Sequence, residues 1–110
     1  MSEQRHNRMQ ERIRETASQF ITLESNRTSI ITITGVDLTF DEKMATILFT
    51  VMPTEKESEV LDFLKRQRTN FREFFKEKTR VQRIPFFDFV IDIGEKNRQK
   101  IDSLLQKAKK

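Results

Sequence analysis

Residues 30–52, IITITGVDLTFDEKMATILFTVM, decide how the rest of the chain must be arranged. Ile30-Ile31-Thr32-Ile33-Thr34 is β-branched at every position, the composition of a strand. Gly35 interrupts its alternation, and in a regular ladder Val36 and Leu38 would face away from Ile31 and Ile33. One extra residue at the glycine, a β-bulge, returns them to the same face. After Asp41-Glu42-Lys43 the alternation resumes: Ala45, Ile47, Phe49 and Val51 point one way, and Thr46, Leu48 and Thr50 the other. The short connection, with Asp41 available to turn the chain, predicts an antiparallel hairpin with one apolar face.

That face needs a cover, and the flanking segments supply it. From about Gln4 to Leu23 the positions Met9, Ile13, Thr16/Ala17 and Phe20 recur every three or four residues, which is one helical face. Asn26-Arg27-Thr28-Ser29 is a polar break before the first strand. Beyond the hairpin, Pro53-Thr54-Glu55 reads as a helix start. Thr54 is the expected cap, and Glu55, Glu57 and Glu59 suit the positive helix end. Val60, Leu61 and Leu64 form the inner face of that helix. Phe71, Phe74 and Phe75 form the next, on a helix from Asn70 to about Thr79. Lys65-Arg66-Gln67-Arg68-Thr69-Asn70 between them predicts a kink or short turn, capped by Thr69 or Asn70. Pro85 opens a last strand in which Phe87, Phe89, Ile91 and Ile93 alternate with Phe86, Asp88, Val90 and Asp92, and Gly94 is expected to stop it. A polar helix from Glu95 to Lys110 carries Ile101, Leu104, Leu105 and Ala108 on one side.

The order α-β-β-α-α-β-α, with a three-stranded sheet covered by helices on one face, is a two-layer α+β domain. It is neither the βαββαβ of an RRM nor the strict alternation of a doubly wound fold. There is no internal repeat, low-complexity stretch or Gly/Ser/Pro-rich linker, so residues 1–110 read as one domain, with a core at about 4–93 and a closing helix at about 95–108.

Composition removes several kinds of chemistry. With no Cys there is no disulfide, thiolate metal site or thiol nucleophile. The two glycines stand 59 residues apart, so Walker A and dinucleotide loops are absent, as is the GxxG clamp of standard KH domains. His6, the only histidine, has no orienting partner near it in sequence and reads as a solvated residue. Asp88 and Asp92 share a strand face and read as the wet side of the sheet; Asp37 and Asp41 read as turn residues. No metal, cofactor, small-molecule substrate or catalytic residue is expected, and the chain reads as non-enzymatic. No run approaches a membrane span and the charged start lacks a signal-peptide core, so a monomeric, cytoplasmic protein is expected. Most of the ten Phe lie on inward faces; Phe40 and Phe86 are the two left outside, with base stacking on either the minor reading.

Charge is informative once located. Between Phe63 and Arg83 stand eight bases, Lys65, Arg66, Arg68, Arg72, Lys76, Lys78, Arg80 and Arg83, against Glu73 and Glu77 alone, a net +6. The remaining 13 bases and 15 acids sum to −2. A nearly neutral chain with one strongly basic segment has a place for a polyanion. Lys65, Arg66, Arg68, Arg72, Lys76, Arg80 and Arg83 are the expected phosphate contacts, with RNA favoured over DNA because no helix-turn-helix or zinc module is present. The rival reading is a small adaptor whose basic face meets an acidic protein.

With these residues in order, the chain resembles the ribosome-binding factor A family from its first helix to about Leu105. The likeness lies in the Ile/Thr-rich strand, Thr39-Phe40-Asp41-Glu42-Lys43-Met44-Ala45, Phe71-Arg72, Pro85-x-x-x-Phe89-x-x-Asp92 and Ile101-Asp102-x-Leu104-Leu105. The resemblance implies a type II KH-like fold whose helix–kink–helix carries Ala-x-Gly in place of GxxG. It further implies a bacterial assembly factor that binds the free small ribosomal subunit late in maturation, contacts its rRNA and assists processing of the rRNA 5′ end. At the Ala-x-Gly positions this chain has Gln67-Arg68-Thr69, without the kink glycine, and Phe86-Phe87 replaces the family's Glu-Leu after the proline.

Overall fold

The structure, a computed structural model, describes residues 3–24 and 28–108. Asn26 and Arg27 of the polar break, the last two positions expected in the closing helix and the Ala108 side chain lie outside that description. The chain forms α1 (Glu3–Glu24), β1 (Ile30–Leu38), β2 (Met44–Met52), a 3-10 turn (Thr54–Lys56), α2 (Glu57–Arg66), α3 (Arg68–Thr79), β3 (Phe86–Ile91) and α4 (Ile93–Ala108). The strands make one mixed sheet in the order β1-β2-β3, with β1 antiparallel and β3 parallel to β2.

The bulge lies beside the glycine, as expected. Ile31 and Ile33 pair with Val51 and Phe49, the register then slips between Ile33 and Gly35, and Val36 and Leu38 pair with Ile47 and Ala45. One skipped residue thus keeps eight apolar side chains on one face. Across it pack Ile13, Ala17, Phe20 and Ile21 of α1, Val60 and Leu64 of α2, and Phe71 and Phe75 of α3, all buried. Phe71 is the hub: its ring centroid lies 4.7 Å from Phe87, 5.3 Å from Phe20 and 5.7 Å from Phe89, mostly edge to face. Thr16, buried among these, satisfies its hydroxyl on the Arg12 carbonyl at 2.7 Å. Phe74 sits at the margin, half-buried, with its ring 5.4 Å from Phe20 and Lys78 Nζ over it at 5.5 Å. Asp41 does turn the hairpin, accepting from the Thr39 hydroxyl at 2.7 Å and the Lys43 amide at 3.1 Å.

Four local expectations are corrected. Thr54 does not cap α2: Pro53 and Thr54 enter a 3-10 turn first, with the Lys56 amide on the Pro53 carbonyl at 3.0 Å, and the N-cap of α2 is Lys56. Neither Thr69 nor Asn70 caps α3. The helices meet at a single residue, Gln67, whose amide bonds to the Phe63 and Leu64 carbonyls while its own carbonyl receives the Phe71 amide at 2.8 Å. Gly94 does not end the last strand but lies in the first turn of α4. Asp92 makes the break, taking the Glu95 amide on its side chain at 3.0 Å and the Lys96 amide on its carbonyl at 3.0 Å, which leaves Ile93 exposed. His6 is not simply solvated: its Nδ1 is 3.4 Å from Glu42 Oε2, joining the start of α1 to the hairpin turn.

The described apolar side chains of α4 do not reach the sheet. Ile101, Leu104 and Leu105 are exposed along it, and Lys96 Nζ ties its first turn to the body through Glu57 Oε1 at 2.9 Å. The molecule is correspondingly elongated, 54 × 32 × 17 Å. None of the helices is long and apolar enough, among the described residues, to cross a membrane.

Candidate nucleic-acid interface

α3 is amphipathic in the ordinary way: Phe71 and Phe75 face the core, and the positions to one side of them line a flank. Arg68, Arg72 and Lys76 recur there every four residues, and that flank runs beside β3. Lys65, in the last turn of α2, continues the row across the Gln67 junction. The junction works without glycine because Gln67 has φ −89° and ψ 3°, a conformation open to any L-residue. The bend that brings Lys65 and Arg68 together is therefore made by sterically ordinary backbone.

The flank is fastened to β3. Lys65 Nζ is 2.8 Å from Asp88 Oδ1, and Arg68 Nη1 is 3.4 Å from the same oxygen. Arg68 Nε also donates to the Lys65 carbonyl at 3.0 Å. Arg72 Nη1 donates to the Pro85 carbonyl at 3.1 Å. Because β3 is an edge strand and Asp88 alternates with inward Phe87 and Phe89, these cations reach round the edge of the sheet. Burial pushes the Asp88 carboxyl upward. The Lys65 ammonium, the Phe89 amide N–H and the Arg68 guanidinium outweigh that and hold it below its ordinary value. Even with Asp88 counted, residues 65–88 carry eight bases against three acids. One carboxylate shared by two cations orients them and leaves the surface positive.

The seven expected contacts do not form a single row. Lys65, Arg68, Arg72 and Lys76 line the flank; Arg66 is exposed on another side of α2; Arg80 closes the far end of α3, and Arg83 follows in the loop to β3. Arg80 is left-handed, φ 57°, with its amide on the Lys76 carbonyl at 3.1 Å, so it acts as the helix C-cap without a glycine. Sequence reasoning missed Asp88, which it read as a wet strand residue. A lone acid on the strand that follows eight bases was the available signal. It also missed that Phe86, 64% exposed, borders a cleft of about 170 Å³ with Arg68, Thr69, Arg72 and Phe87. Asp92, paired with Asp88 in the sequence reading, does separate work, accepting from the Thr34 hydroxyl and capping α4.

The family model of ribosome-binding factor A matches residues 5–105, nearly the whole chain. The chain belongs to the ribosome-binding factor A family. A curated relative, ribosome-binding factor A of Thermodesulfovibrio yellowstonii, is 30% identical over 88 residues, covering 80% of this chain and 75% of the relative. Among solved structures, the crystal structure of ribosome-binding factor A from Thermus thermophilus superposes with a TM-score of 0.69 at 15% identity, over 77% of this chain and 92% of that one. A homology model of Thermus thermophilus ribosome-binding factor A, fitted into a cryo-EM map of a 30S complex, gives 0.64 at 16% identity, over 72% and 86%. At these identities the likeness establishes a shared fold. This member of the ribosome-binding factor A family bends between its two middle helices at Gln67, with no glycine there, and presents an exposed Phe86 at the start of β3.

Proposed function

We propose that this protein is a non-enzymatic, KH-like assembly factor that binds the free small ribosomal subunit in the cytoplasm, contacts its rRNA and assists late maturation, including processing of the rRNA 5′ end. Family membership supports the partner: the Thermus thermophilus factor of the same fold is described in a complex with the 30S subunit. The observation that carries the contact surface is the row Lys65–Arg68–Arg72–Lys76 on the β3 flank of the middle helices. Three of its four members are held in place by Asp88 or the Pro85 carbonyl. Arg66, Arg80 and Arg83 would add charge around it.

Cations fixed before binding lose less side-chain freedom on meeting phosphates. Docking on one rRNA arrangement better than another shifts the population toward it, and release follows when the mature arrangement no longer fits. No bond need be made or broken. The test is the salt dependence of binding to a small-subunit rRNA fragment. Four phosphate contacts give a log–log slope of about −3. Absence of RNA binding at low salt would favour the acidic-protein adaptor.

A further inference from the structure

The cleft between α3 and the start of β3 joins two kinds of group that a phosphate-binding surface alone does not require. One wall is Arg68, Thr69 and Arg72; the other is Phe86 and Phe87. Phe87 is buried, but Phe86 is 64% exposed and stands beside Met44, its 49% exposed cross-strand neighbour. An aromatic ring left largely in solvent next to two arginines gives up burial. At about 170 Å³ the cleft falls well short of the roughly 300–1,000 Å³ typical of drug-sized ligand pockets, and suits one planar ring system.

We propose that Phe86 is a stacking platform for a single unpaired nucleobase of RNA, with Arg68 and Arg72 receiving the phosphates on either side of it. This rests on the RNA-binding reading above and adds a ligand class to it: a single-stranded or bulged nucleotide rather than a helix backbone. The arginines are set for the task. Arg72 is anchored on the Pro85 carbonyl, directly before Phe86, and Arg68 on Asp88, two residues after it. Each guanidinium has five N–H donors, so anchoring by one or two leaves others for a ligand. Every base has a π-face, so the site is tolerant of sequence. Bases within a duplex are already stacked, so the site discriminates against paired RNA.

The test is fluorescence anisotropy with an unstructured single-stranded RNA of adenosine and uridine, beside a duplex of the same length, for the full chain and its Phe86→Ala, Phe86→Trp and Lys76→Ala variants. Phe86→Ala is expected to weaken single-strand binding about 5- to 150-fold, as for loss of one stacked base, and to leave the salt slope unchanged. Phe86→Trp is expected to restore it, and duplex binding to change less than about twofold. Lys76→Ala should instead flatten the slope by about 0.7 for single-stranded RNA. Equal single-strand affinity for the wild type and Phe86→Ala, with wild-type binding intact, overturns the stacking site and leaves the RNA-binding reading standing. Equal losses on single strand and duplex, or no rescue by Phe86→Trp, overturn it likewise. No wild-type binding to either RNA at low salt overturns both. Because Phe86 is mostly exposed, unchanged circular dichroism and melting of the alanine variant separate loss of contact from loss of fold.

Discussion

Lys65 Nζ lies 2.8 Å from Asp88 Oδ1, closing a bridge from the last turn of α2 to the middle of β3. Arg68, from the first turn of α3, shares that oxygen at 3.4 Å. A single carboxylate therefore fixes two cations on either side of the helix junction while neutralising only one. Both partners are about a third or more exposed, so the direct contribution to stability is small, about 0–1 kcal/mol. Its consequence lies in where the positive charge is held.

Replacing Asp88 with Asn tests that division of labour. The fold should lose no more than about 1 kcal/mol in urea unfolding. RNA affinity at low salt should rise a few-fold, because a negative charge beside the phosphates is removed, while the salt slope stays near that of four contacts. Weaker binding by Asp88→Asn would show that orientation, rather than charge, limits the interaction.

Acid should act through the same carboxyl and through Asp92. Asp88 is held below its ordinary value by its cationic partners despite its burial. Asp92 is held down chiefly by the Thr34 hydroxyl and then by the Glu95 amide. A carboxyl depressed in the folded state stabilises it above the unfolded pKa, and that contribution disappears as pH falls through the folded pKa. These two groups should thus leave the urea midpoint unaffected from neutrality down to about pH 5, and lower it below about pH 4. The doubly substituted Asp88→Asn/Asp92→Asn protein should show a shallower acid decline; an identical decline would contradict the assignment.

Phe71 should be costly to remove. Fully buried and in ring contact with Phe20, Phe75, Phe87 and Phe89, it joins α1, α3 and β3. Phe71→Ala should cost about 3–5 kcal/mol, enough to leave a domain of ordinary stability partly unfolded at 37 °C. Chemical denaturation reads it directly, with Lys76→Ala as a surface control expected within about 0.5 kcal/mol of the wild type.

Gly35 should be replaceable. The bulge puts no glycine at positive φ, and a Cβ at this position would meet only Leu48 Cδ1 at 3.9 Å, an ordinary contact. Gly35→Ala is therefore expected to change stability by less than about 1 kcal/mol, in the stabilising direction if the unfolded chain loses more freedom than the strand does. A loss of several kcal/mol would mean that the register slip depends on the glycine itself.

How far the sequence could be read follows from which interactions are local. The hairpin and its bulge were legible because faces of a strand repeat every two residues, so Val36 and Leu38 betray the slip at once. The Phe71/Phe74/Phe75 stripe was legible for the analogous reason on a helix. Helix ends were not. Thr54 and Gly94 have the right chemistry for caps and stops, but α2 starts from Lys56 behind a 3-10 turn and Asp92 ends the last strand, because the chain's path after each strand decides where the helix can begin. The basic segment was visible as composition. Its division into a flank row and outlying Arg66, Arg80 and Arg83 depends on the single-residue junction at Gln67 and on Asp88 across the sheet edge, neither of which has a periodic signature.

The most direct test of the docking surface is co-sedimentation of the Arg72→Ala/Lys76→Ala protein with small ribosomal subunits, beside the wild type at equal stability. The wild type should travel with free small subunits and not with translating ribosomes, and the double variant should remain at the top of the gradient at moderate salt. A variant that travels with free subunits as the wild type does would place the ribosome-facing surface elsewhere on the molecule.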